Sequence, residues 1–194
     1  MKDQKNSRAH DQPMTYEEYA GLPDDGFRYE LVGQQLDVMS PTPSVLHQLV
    51  VSAMRDVLLK TCEAEYLIVL SPVDVVFSSR DVRQPDLVMV HRERMGIVHV
   101  KGIFGVPDLI VEVLSPGSFE RDRKEKWKTY EAYQVPEYWL VDSLNGTVEQ
   151  YEYTNGQLHL CAVYEAHQPI YSVRLPCVSF TMSSILLTLP KLTE

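Results

Sequence analysis

The sequence predicts an α/β fold: a mixed β-sheet flanked by helices, with additional β-hairpins. Three observations predict it. Apolar runs of strand length recur over 66–70, 73–77, 87–90, 109–114 and 138–141, many of them β-branched. Two longer stretches carry helical spacing instead, one over 44–60 and one in the charged segment that contains Asp122, Lys126 and Tyr130. Asn145-Gly146 and Asn155-Gly156 are hairpin turn signals late in the chain.

In order, the polar residues 1–13 have no core-forming pattern and are expected to be a disordered tail, with one domain over 14–194. Thr15 and Glu18 form a capping-box pattern for a short helix over 16–22. Pro23-Asp24-Asp25-Gly26 is a turn. Segments 28–32 and 35–39 read as a hairpin around Gly33-Gln34. Ser40-Pro41-Thr42-Pro43 breaks it. Ser44 is the expected N-cap of a helix whose Leu46, Leu49, Val50, Met54, Val57 and Leu58 recur at helical spacing. Strands follow over 66–70 and 73–77, separated by Ser71-Pro72, and another over 87–90. The polar stretch 78–84 is expected as loop, and 91–104 as an irregular crossover. Strand 109–114, a turn at Ser115-Pro116-Gly117-Ser118, a helix and strand 138–141 then form a strand–turn–helix–strand unit. Two hairpin strands over 148–153 and 157–164 precede a β-prone tail with a final helical turn or two over 183–189.

Composition narrows the function classes. No apolar run reaches the roughly 18 residues a membrane span needs, and the polar start does not read as a signal peptide, so the expected location is cytoplasmic. Cys62, Cys161 and Cys177 lack close spacing and suggest neither a zinc site nor a disulfide framework. A net charge of −9 argues against indiscriminate binding to nucleic acid, which needs a basic face. It leaves room for a local basic patch.

The chemistry lies in charged residues where charge is costly. Glu112 interrupts the apolar run 109–114, and a carboxylate there must be paired or hold a cation. Asp86 follows Pro85 at the start of another run, and Glu30 sits between Tyr29 and Leu31. Two carboxylates on neighbouring strands make an oxygen-donor site suited to Mg²⁺ or Mn²⁺. Asp122, Lys126 and Tyr130, at i, i+4 and i+8, share a helix face, so Lys126 can reach the same site. His47, at the start of the first long helix, is a candidate proton carrier, phosphate contact or further ligand. Each has a plainer reading. An Asp after Pro is commonly a turn residue, a lysine among Arg121, Arg123, Lys124 and Lys128 commonly belongs to a solvated face, and a lone His commonly packs or caps.

The residues gain weight as an ordered series: Tyr29-Glu30-Leu31; Met39-Ser40-Pro41 with His47-Gln48; Gln84-Pro85-Asp86; Val111-Glu112-Val113-Leu114-Ser115-Pro116; Arg121-Asp122 with Glu125-Lys126 and Tyr130; and Val135-Pro136-Glu137-Tyr138-Trp139-Leu140-Val141-Asp142. This series, covering about 14–189, resembles the Uma-type restriction endonuclease family of the PD-(D/E)XK nuclease superfamily. The resemblance implies a restriction-endonuclease-like fold, with Asp86, Glu112 and the backbone carbonyl of Val113 as metal ligands and Glu30 as an early acid of the site. Position 114, where the superfamily motif places its lysine, is Leu. Lys126 matches a lysine displaced onto the following helix. His47, Gln48, Asp122 and Tyr130 match family positions that support the site or touch substrate.

The implied activity is Mg²⁺- or Mn²⁺-dependent endonucleolytic hydrolysis of nucleic acid, DNA being the expected partner, with Lys126 assisting the attacking water. A homodimer would suit cleavage of two strands. The alternative is a catalytically degenerate nuclease fold serving as a binding or assembly module. A two-carboxylate glycosidase needs neither lysine nor metal and ranks below both.

Overall fold

In the computed structural model of the chain, residues 12–39, 42–115 and 121–193 are described, with the side chains of Arg121 and Asp122 left out. The elements run α1 (Tyr16–Tyr19), β1 (Tyr29–Val32), β2 (Gln35–Val38), α2 (Val45–Cys62), β3 (Tyr66–Leu70), β4 (Val75–Ser78), β5 (Asp81–Arg83) and β6 (Leu87–His91). A 3₁₀ turn (Arg92–Ile97), β7 (Val98–His99), β8 (Gly102–Phe104) and β9 (Leu109–Val113) follow. A π-helical segment (Arg121–Lys126) leads into α3 (Trp127–Ala132), then β10 (Glu137–Asp142), β11 (Thr147–Thr154) and β12 (Gln157–Tyr164). The chain closes with β13 (Ile170–Tyr171), β14 (Ser179–Phe180) and α4 (Met182–Leu186).

The strands form two six-stranded sheets, β12-β11-β10-β9-β6-β3 and β2-β1-β5-β4-β8-β7, plus the small β13-β14 pair. Pairing is antiparallel except for β9 with β10 and β4 with β8. The central strands of the first sheet, β6, β9 and β10, are buried on both faces, which is why they read as nearly continuous apolar runs. Along β9, Leu109, Val111 and Val113 pack towards α2 and the C-terminal elements. Ile110 and Leu114 pack with α3 and residues of the second sheet. Glu112 shares that second face by the two-residue alternation of a strand.

Local signals explain most boundaries. The Thr15–Glu18 capping box forms, with the Thr15 amide 2.7 Å from the Glu18 carboxylate, though α1 stops short of the expected 16–22. Ser44 caps α2 by accepting from the His47 amide at 3.2 Å. Gly33 and Gln34 both have positive φ, 54° and 71°, as a tight two-residue hairpin turn requires.

Several expectations are corrected. The polar stretch 78–84 contains β5, because Arg83 is satisfied inside the fold by Glu30 rather than by water. The crossover over 91–104 contains a 3₁₀ turn and a short hairpin. The second long helix is a π-helical segment joined to a short α-helix. Cys62 and Cys177 are disulfide-bonded with Cα atoms 5.2 Å apart, although 115 residues separate them in sequence; spacing along the chain could not report that contact. Cys161 is free and exposed. The expected tail lies outside the described residues up to position 11, as do Ser40, Pro41 and Pro116 of the motif series.

Candidate active site

The site lies where β6 and β9 run side by side. Their register pairs Leu87 with Val111, and its extension by one step brings Asp86 opposite Glu112. The Asp86 side chain continues this ladder: its Oδ2 accepts the Val113 amide at 2.8 Å. Its Oδ1 lies 3.1 Å from His47 Nε2, so the first turn of α2 reaches over the strand end. His47 is buried, and its Nδ1 has no hydrogen-bond partner among the described residues.

Glu112 is buried in β9 and held from the helix. Lys126 Nζ donates to one carboxylate oxygen at 2.8 Å, and the Tyr130 hydroxyl donates to the other at 2.6 Å. Burial first, and then the charge on Glu112, keep the Tyr130 phenol well above its ordinary pKa, so it remains a donor. The helix face predicted from the i, i+4 spacing thus brings Lys126 and Tyr130 onto one carboxylate.

Glu30 lies alongside, in β1. Its carboxylate accepts from Arg83 Nη1 at 3.0 Å and from the Gln84 amide at 2.8 Å. Burial pushes the Glu30 carboxyl up, but the charges of Lys126 and Arg83 and these hydrogen bonds outweigh it and hold it below the ordinary range. Desolvation opposes charge on Arg83 too, and Glu30 reverses the effect. Arg83 also donates to Thr129 Oγ1, through Nε at 3.2 Å and Nη2 at 2.6 Å. It therefore ties β5 and β1 to the helix that carries Lys126 and Tyr130.

Glu30, Asp86, Glu112, Lys126, Tyr130 and His47 thus gather around the adjoining ends of β6, β9 and α3. Gln48 is exposed on α2, and the Asp122 side chain lies outside the described residues. Arg83 and Thr129 were missed by sequence reasoning. The only available signal was an arginine next to Val82 and Gln84-Pro85-Asp86, and recognising its partner requires knowing that β5 pairs with β1.

The donor set suits a hard divalent cation, since Asp86 and Glu112 offer carboxylate oxygens on adjacent strands. No group of three His, Cys, Asp or Glu side chains arranged for a metal occurs among the described residues. The oxygens of Glu112 now serve Lys126 and Tyr130, so a cation would share or replace those contacts.

Two mixed sheets, one of which brings this acid pair together where its adjacent strands β6 and β9 meet, with a lysine supplied by the following helix, define a restriction-endonuclease-like fold. A crystal structure described as a putative nuclease belonging to DUF820, from Anabaena variabilis ATCC 29413, superposes with a TM-score of 0.73 at 17% identity, covering 90% of this chain and 98% of that one. The Uma2 family model, described as "Putative restriction endonuclease", matches residues 16–183, and the chain belongs to that family. No curated protein matches it. No described helix is long and apolar enough to cross a membrane.

Proposed function

We propose that the protein is a divalent-metal-dependent endonuclease that hydrolyses phosphodiester bonds of nucleic acid, with DNA as the substrate. The observation that carries this reading is the Glu112–Lys126 contact of 2.8 Å, buried on both sides and set beside Asp86. Burying a carboxylate and an ammonium costs more than packing two apolar residues of the same size. Chemistry supplies the reason to keep them.

In this reading Asp86, Glu112 and the Val113 carbonyl hold Mg²⁺ or Mn²⁺, which when bound lowers the pKa of water and offsets charge on the scissile phosphate. Lys126 orients the attacking water and donates to charge developing on phosphate oxygens. Tyr130 fixes the rotamer of Glu112. His47 fixes Asp86 from the opposite side, and Glu30 with Arg83 anchors the helix that carries Lys126. Family membership supports the activity, and the likeness to the Anabaena structure supports the fold.

A second reading is favoured by one specific observation. Both oxygens of Glu112 already have donors, a self-sufficient arrangement that a non-catalytic binding module would also tolerate. Incubating supercoiled plasmid and single-stranded DNA with Mg²⁺ or Mn²⁺ separates the two. Wild type cleaves, while Asp86→Asn and Lys126→Met, shown to be folded, do not. Wild type that neither cleaves nor gains thermal stability with Mn²⁺ supports the module.

A further inference from the structure

Next to the Glu112–Lys126 pair is a second feature that the hydrolytic machinery does not use. A cavity of about 430 Å³ is lined by Arg123, Lys124, Trp127, Lys128, Leu140 and Tyr151. Its floor is close to the reaction: Leu140 on β10 pairs directly with Glu112 on β9. Paired residues on adjacent strands project to the same face, with strands about 4.8 Å apart. The cavity therefore begins one strand away from Glu112, and Trp127 follows Lys126 in the chain.

The walls are of two kinds. Trp127 is half-buried and stands edge-on to Tyr151, with ring centroids 4.6 Å apart at 89°, so one side of the indole is fixed by packing while it also lines the cavity. Arg123 is fixed as well. Its guanidinium donates to Glu149 at 3.0 Å, and the same carboxylate accepts the Tyr151 hydroxyl. Lys124 and Lys128, one helical turn apart, add two cations beside the Glu149-paired Arg123, and none of the described lining residues is a carboxylate. On a chain of net charge −9 this is a local concentration of positive charge. A fixed aromatic platform edged by cations is how proteins hold unpaired bases and their phosphates. In a duplex the bases stack on one another and cannot reach such a platform.

We infer that this cavity binds an unpaired nucleotide of the substrate strand, its base against Trp127 and its phosphate between Lys124 and Lys128. The inference rests on the nuclease reading and makes single-stranded or locally opened nucleic acid the substrate class of that site.

The test uses full-length Asp86→Asn protein, so that binding is read without cleavage. A fluorescein-labelled 12-nucleotide single strand and the blunt duplex of the same sequence are titrated by anisotropy at one salt concentration. Tighter binding of the single strand is expected. Trp127→Leu should weaken it roughly five- to hundredfold, the effect of removing one stacking platform, with much less change for the duplex. Because Trp127 also packs on Tyr151, the exposed pair Lys124→Ala/Lys128→Ala serves as a second variant that leaves the packing intact, and it too should weaken single-strand binding at least fivefold. Equal binding of both substrates, or single-strand affinity unchanged by either variant, overturns the inference. If the single strand does not bind while wild type still cleaves plasmid, the cavity assignment alone fails. If wild type does neither, the nuclease reading fails with it.

Discussion

The Glu112 carboxylate is where structural and chemical demands meet. Lys126→Met leaves its charge buried without its ammonium partner, and removing one member of a buried pair costs about 3–5 kcal/mol. Urea unfolding should register that loss. The double variant Glu112→Gln/Lys126→Met removes both charges and keeps the Tyr130 bond to the amide oxygen. It should lie within about 2 kcal/mol of wild type, above Lys126→Met alone, because a buried unpaired amide costs less than a buried unpaired charge. Arg83→Met strands Glu30 in the same way and should cost about 3–5 kcal/mol. The sequence made Glu112 and Lys126 legible, since an acid in an apolar run demands a partner and the helix spacing offered one. Arg83 was not legible. Nothing in its own segment reveals that strand β5 lies against β1 and turns a polar stretch inward.

At the level of elements, β10 carries an acid with the opposite pH behaviour to Glu30. Glu137 is buried and accepts from Trp139 Nε1 at 2.6 Å, Gln150 Nε2 at 2.7 Å and Ser172 Oγ at 2.6 Å. Burial raises its pKa more than these three donors lower it. Its folded pKa lies above the unfolded one, so its contribution becomes more favourable as pH falls through the folded value. Glu30, with a lowered folded pKa, contributes in full above the ordinary glutamate range and loses that contribution as pH falls through its folded value. Glu137→Gln should therefore match or exceed wild-type stability at neutral pH, with the difference shrinking in mild acid; unfolding curves at the two pH values read this directly. The strand β10 itself was plain from its apolar run. The disulfide from the end of α2 to Cys177 was not, because it depends on the path of an irregular C-terminal segment. Closing so long a loop predicts that reduction lowers stability by about 2–4 kcal/mol, measurable by unfolding with and without reductant. Such bonds persist in oxidising surroundings, which bears on the cytoplasmic expectation.

Over the whole molecule, the acidic balance and the basic 121–128 segment set the terms of binding. A chain of net charge −9 repels a polyanion except where cations are concentrated. Association with DNA should therefore run through that segment and weaken steeply with salt, the slope falling by about one for each phosphate-contacting lysine removed. The α/β class and the ordered series of motifs were legible over nearly the full chain, because strand-length apolar runs and punctuating turns are local properties. The division into two sheets was not, since it depends on pairings distant in sequence, β5 with β1 and β8 with β4. The central claim, that the buried acid–lysine pair exists for chemistry rather than for the fold, is tested most directly by plasmid cleavage with the folded Glu112→Gln/Lys126→Met variant in Mg²⁺ or Mn²⁺. The account predicts wild-type cleavage and none from the variant despite its intact fold. Cleavage by the variant at the wild-type rate would contradict it.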